Sequence, residues 1–95
     1  MSMPRADYEQ AIISAWRELP CTRGRPPRSD RILLRDLYAR RIPLSLIFAA
    51  FRLASRRRSP HLPPVRSLSY FRDVIDELTH ADPGYIDFLN AHCCK

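Results

Sequence analysis

Residues 29–58 read SDRILLRDLYARRIPLSLIFAAFRLASRRR, and this stretch decides the fold. Leu33, Leu34, Leu37 and Tyr38 recur at three- and four-residue spacing, which places them along one side of a helix. Ser29 suits the N-cap position, Asp30 falls where the helix dipole favours an anion, and Arg40 and Arg41 fall where it favours cations. Pro43 opens a further helix at the first-turn position, where its missing N–H does no harm, so only a tight turn around Arg41 and Ile42 separates the two. That helix points Leu44, Ile47, Phe48, Phe51 and Ala54 inward and ends in Arg56, Arg57 and Arg58. The pair is a helix-turn-helix in the loose sense, whose second member would offer mainly Ser45, Ala49 and Arg52 on its outer face.

Working outward, Tyr8, Ala11, Ile12, Ala15, Trp16 and Leu19 form an apolar stripe on a preceding helix that Pro20 closes. Residues 20–28 hold Gly24, Pro26, Pro27 and three arginines with no large apolar side chain, so they are expected to form an exposed loop that stays out of the core. On the C-terminal side, three prolines between Ser59 and Arg66 break the helical pattern. A fourth helix is expected from Ser67 or Ser69, burying Leu68, Phe71, Val74, Ile75 and Leu78 and leaving Asp73, Asp76 and Glu77 outside. Asp82-Pro83 restarts a short fifth helix that packs through Tyr85, Ile86 and Leu89, and residues 91–95 are expected to fray. No alternation at the strand period and no internal repeat is present, so the expected fold is all-α, a compact bundle of about five short helices in one domain.

A chain of 95 residues leaves roughly a third or more of its unfolded-state surface exposed after folding. Function is therefore expected on the surface, because a deep pocket would compete for volume with the only core such a chain can build. Lys+Arg number 16 against Asp+Glu 10, for a net charge of +6, and Lys95 is the only lysine. Codon usage in a GC-rich genome accounts for the arginine bias as well as selection of guanidinium forks for phosphate or carboxylate does, and the two are compatible. No apolar run reaches the length of a membrane span; the longest, residues 44–54, is broken by Ser45 and Arg52. With no secretory signal at the start and an odd set of cysteines, Cys21, Cys93 and Cys94, the expected compartment is the cytoplasm.

The arginine distribution is the main chemical signal. Arg23, Arg25 and Arg28 share one proline-stiffened loop, Arg52, Arg56, Arg57 and Arg58 run along the end of the third helix, and Arg66 follows the next loop. Brought to one side of the bundle, these segments make a phosphate-binding stripe with salt-sensitive affinity, and Tyr70 beside it supplies a ring for stacking. The alternative for the arginines is a solvated charge run, and for Tyr70 simple packing at the edge of the core. The candidate metal ligands Cys21, His61, His80, His92, Cys93 and Cys94 lack zinc-knuckle spacing, so no metal or other cofactor is expected. Neither is enzymatic activity, since no nucleophile, base and oxyanion set emerges. Asp73, Asp76 and Glu77 give the bundle an acidic face that either stays solvated or opposes arginines of a second copy, so a homo-oligomer is a further expectation.

Ile42, Leu46, Ile47 and Ala50, followed after a loop by Tyr70, Phe71, Val74, Ile75 and Leu78, resemble the C-terminal domain of the DnaD-like primosomal and phage replication proteins. The resemblance covers under half of the chain; Leu78 stands where that family's motif carries tryptophan, and the family's N-terminal winged-helix domain has no counterpart here. It implies binding of single-stranded or duplex DNA, contact with a replication or recombination protein, and self-association, with Tyr70 on the motif tyrosine. The expected function is that of a small basic DNA-binding accessory protein of replication or of a phage or mobile element. The alternative is a protein-interaction adaptor that meets an acidic partner through the basic loop, with Leu62 and Phe88 as apolar contacts.

Overall fold

The computed structural model describes residues 3–22, 24, 27–59 and 61–92. Five α-helices follow one another: α1 (Arg5–Arg17), α2 (Asp30–Ala39), α3 (Leu44–Arg57), α4 (Arg72–Thr79) and α5 (Pro83–His92), with a 3-10 turn at Leu68–Phe71 leading into α4. The all-α expectation holds. Thr22 and Val65 form an isolated β-bridge, in which the Val65 N–H donates to the Cys21 carbonyl at 2.7 Å.

The central element is α3. It buries Leu46, Ile47, Ala49, Ala50, Phe51, Leu53 and Ala54, too many positions for a single stripe, because α1, α4 and α5 all pack on it. The alanines let neighbouring backbones approach, while Phe51 meets Phe71 with ring centroids 4.8 Å apart. Leu44 and Phe48, expected inside, are only half-buried. Trp16, fully buried, anchors α1 in the same core, and its indole N–H has no acceptor among the described residues.

At the edge of the bundle lies α2, whose main contacts are α1 and the 3-10 turn. Ser29 has helical dihedrals and no side-chain cap bond, so the expected N-cap is not made. Asp30 instead turns inward and is 4% exposed. Its carboxylate accepts the Ser67 hydroxyl at 2.9 Å and the Leu68 N–H at 2.7 Å, which makes it a cap for the 3-10 turn from another part of the chain. The Ser67 hydroxyl in turn accepts the Ser69 N–H at 3.2 Å. Since its one proton goes to Asp30, the 2.8 Å contact between the two serine hydroxyls has Ser69 as donor.

The turn from α2 to α3 is a Schellman motif built without glycine. Arg41 takes φ 57°, its N–H reaches the Tyr38 carbonyl at 3.0 Å, and the Ile42 N–H reaches the Leu37 carbonyl at 3.1 Å. Leu37 and Ile42 are both buried, which supplies the apolar contact such motifs favour. The Tyr8 hydroxyl closes the turn from the α1 side by donating to the Ile42 carbonyl at 2.6 Å, and burial pushes its pKa up to about 12.

Two loops differ from expectation. The segment after α1 does not stay wholly outside: Thr22 is buried and its hydroxyl lies 2.6 Å from the Trp16 carbonyl and 3.0 Å from that of Leu19. The proline-rich loop likewise buries Val65 against it. A hydroxyl that bonds nearby carbonyls, or a buried apolar side chain whose backbone N–H finds a carbonyl across the bridge, is enough to pin a loop that composition marks as polar.

Candidate nucleic-acid interface

The Asp30 link to Ser67 and Leu68 and the bridge between Thr22 and Val65 hold together the start of α2, the segment after α1 and the loop before the 3-10 turn. Arg66 therefore stands beside the beginning of α2, where Arg28 and Arg31 are carried; all three are exposed. Arg35 follows Arg31 by four residues and so shares its face of α2. Arg28, Arg31, Arg35 and Arg66 make no ion pair among the described residues. Arginine runs in loops and at helix ends do not include Arg31 and Arg35; the helical spacing of the polar residues in α2 is the signal that marks them.

The arginines of α3 behave differently. Arg52 lies on the face expected to be outward, yet its guanidinium donates to the Asn90 Oδ1 at 2.7 Å, and the Asn90 amide donates to the Ser45 carbonyl at 3.0 Å. Ala49, between them, is fully buried. This face is covered by α5, so the Ala49 and Arg52 positions of α3 are not open to a DNA groove, and Arg52 is a tether between helices.

Arg57 donates to both carboxylate oxygens of Glu77, at 2.9 and 3.0 Å, a bidentate pair that holds the Glu77 carboxyl below its ordinary value. Arg40 reaches Asp36 at 3.3 Å and Asp76 at 3.4 Å. Two of the three acids expected to face solvent or a second copy are thus engaged within the chain. Both pairs are half exposed and worth little individually, but they orient α4 against α2 and α3. Arg56 is exposed and also interacts within the molecule.

Arg58 places its guanidinium carbon 5.0 Å from the centroid of the Tyr70 ring. Tyr70 is 43% exposed and packs its ring at right angles to Phe71, with centroids 5.2 Å apart. Tyr70 is thus both a rim residue of the core and the platform that orients Arg58. A shallow cleft of about 370 Å³ opens beside Arg58, lined by Cys21, Ser55, Leu62 and Pro64 among others, with Cys21 Sγ 3.4 Å from the Ser55 hydroxyl.

Arg23 and Arg25 lie outside the described residues, as do Cys93 and Cys94. His80 Nδ1 sits 3.1 Å from both the Thr79 hydroxyl and the Asp76 carbonyl, capping the end of α4. Among the described residues no group of three or more His, Cys, Asp or Glu side chains is placed to hold a metal ion. No helix among them is long and apolar enough to cross a membrane. Tyr85, expected to pack inward, is 39% exposed, whereas Leu89 is buried at 3%.

No protein-family model, curated protein or solved structure matches this chain.

Proposed function

We propose that this protein binds DNA through phosphate contacts from Arg28, Arg31, Arg35 and Arg66. The observation that carries the reading is that, among the described residues, these four exposed cations have no carboxylate partner while Arg40 and Arg57 have them. An arginine already paired in the folded protein must surrender a bond to take a phosphate; an unpaired one exchanges only counterions and water. The lock of Asp30 on the Ser67 hydroxyl and the Leu68 N–H supports it further, because cations from separate segments are held in one place before any ligand arrives.

The role follows as that of an accessory DNA-binding protein in replication or in a phage or mobile element, resting on the DnaD-like resemblance. Most of the residues that carry the resemblance, among them Ile42, Leu46, Ile47, Ala50, Phe71, Ile75 and Leu78, are buried, so the shared pattern serves the core. Tyr70 is the residue of the set that reaches the surface beside an arginine.

Fluorescence anisotropy with labelled single-stranded and duplex DNA, titrated from about 50 to 200 mM salt, tests the reading. Affinity that falls log-linearly with salt, with a shallower slope after Arg28→Ala and Arg66→Ala, is expected. Absence of binding at the low-salt end sinks it and turns the search to an acidic protein partner, for which Leu62 and Phe88, each 51% exposed, would be the apolar contacts.

A further inference from the structure

The geometry points to α2, and not α3, as the element that enters the major groove of duplex DNA; this rests on the DNA-binding reading above and names its substrate and its reading helix. Sequence order suggests the opposite, since in a helix-turn-helix the second helix reads the groove. Here that second helix is α3, which is enclosed by α1, α4 and α5. At the periphery, α2 exposes Arg31, Ile32, Arg35, Asp36 and Ala39 along one side.

Chemistry on that side suits base edges. An arginine fork pairs bidentately with the O6 and N7 acceptors of guanine, and an apolar side chain contacts the methyl group of thymine. Arg31 and Arg35 are one turn apart, and Ile32 between them is 75% exposed, the most exposed large apolar side chain described. A well-solvated isoleucine contributes nothing to the core, but it fits a thymine methyl. The one carboxylate on this face, Asp36, is already held by Arg40 at 3.3 Å, so its repulsion toward phosphate is muted.

The ends of α2 are also furnished. Arg66 is fixed beside its N-terminus through the Ser67 contact with Asp30, and Arg41, exposed, terminates it. Ten residues span about 15 Å, and a helix with its side chains is about 10–12 Å across, which matches a groove about 12 Å wide. With Arg66 and Arg41 on backbone phosphates at the two ends, Arg31 and Arg35 face the base edges.

Selection from a randomised duplex library, followed by anisotropy on the enriched sequence, a scrambled duplex and single-stranded DNA, tests this. The wild type is expected to enrich a guanine-containing step next to thymine and to prefer that duplex over the scrambled one. Arg31→Lys with Arg35→Lys keeps both charges and loses both forks; it should retain the salt slope while losing about ten-fold or more of the preference. Ile32→Ala should weaken the thymine preference alone. Salt-dependent binding without sequence enrichment, or lysine variants that keep full preference, would overturn the assignment of α2 to the groove while leaving phosphate binding in place. Loss of all DNA binding in the wild type would overturn both.

Discussion

The carboxylate of Asp30 accepts the backbone N–H of Leu68 at 2.7 Å across 38 residues of sequence, in a site where Asp30 is 4% exposed. This contact joins the helix that carries Arg31 and Arg35 to the turn that begins α4, and it is the point at which stability and the proposed interface meet. Removing the acceptor strands a buried N–H and the Ser67 hydroxyl. Asp30→Ala is expected to cost about 2–3 kcal/mol, a range typical of hydrogen bonds to a charged group, read by urea unfolding followed through Trp16 fluorescence. A cost below about 0.5 kcal/mol would show that the cap is dispensable.

Arg41 occupies the left-handed region at φ 57°, a conformation that a side chain with a Cβ disfavours. Arg41→Gly should stabilise the protein by about 0.5–1 kcal/mol, the relief of strain being partly offset by the greater freedom of glycine in the unfolded chain. Thermal unfolding of the two proteins side by side decides it, and a lower midpoint for the glycine variant would mean that Arg41 makes a compensating contact. If α2 reads the groove, the same variant also loses one phosphate contact.

Burial of Tyr8 makes part of the stability pH-dependent at the alkaline end. Its pKa rises from 10.0 in the unfolded chain to about 12 in the folded protein because burial disfavours the phenolate. The folded state therefore keeps its proton where the unfolded state has lost it, so this contribution is fully present below pH 10 and is lost as pH rises through 12. Tyr8→Phe removes the dependence and leaves the Ile42 carbonyl without its partner, at a cost of about 1 kcal/mol at neutral pH. The stability gap between the two proteins should narrow between pH 10 and 12; a gap that stays constant would place the Tyr8 hydroxyl in contact with water.

Arg52 and Asn90 fasten α5 to α3 at 2.7 Å. Arg52→Ala should raise amide hydrogen exchange in residues 83–92 several-fold by loosening that helix, without altering the salt slope of DNA binding. A shallower slope in this variant would put Arg52 on phosphate instead.

Arg57 provides the matching control. Because both of its outer nitrogens are committed to Glu77, Arg57→Ala should leave the salt slope unchanged, whereas Arg66→Ala should reduce it by about 0.9. Equal effects of the two substitutions would show that phosphate displaces Glu77 freely.

The sequence by itself determined the five helices and most of the core. Apolar spacing in Tyr8, Ile12 and Trp16 and in Leu68, Phe71, Ile75 and Leu78 marks faces that are buried, and Pro43 and Pro83 begin or adjoin helix starts as local chemistry requires. Periodicity is a local property of the chain, and burial of one face follows from it. Tertiary structure alone decided which polar groups are free. Sequence marked Arg52 and Arg57 as phosphate ligands and passed over Arg31 and Arg35, yet Asn90 and Glu77, 38 and 20 residues away, occupy the first pair and nothing described occupies the second. Asp30, placed by sequence at the anion-favouring start of a helix, is a buried cap because a hydrogen-bond donor 38 residues on needs an acceptor. Charge pairing and capping across a bundle depend on which helices pack together, and only the fold fixes that.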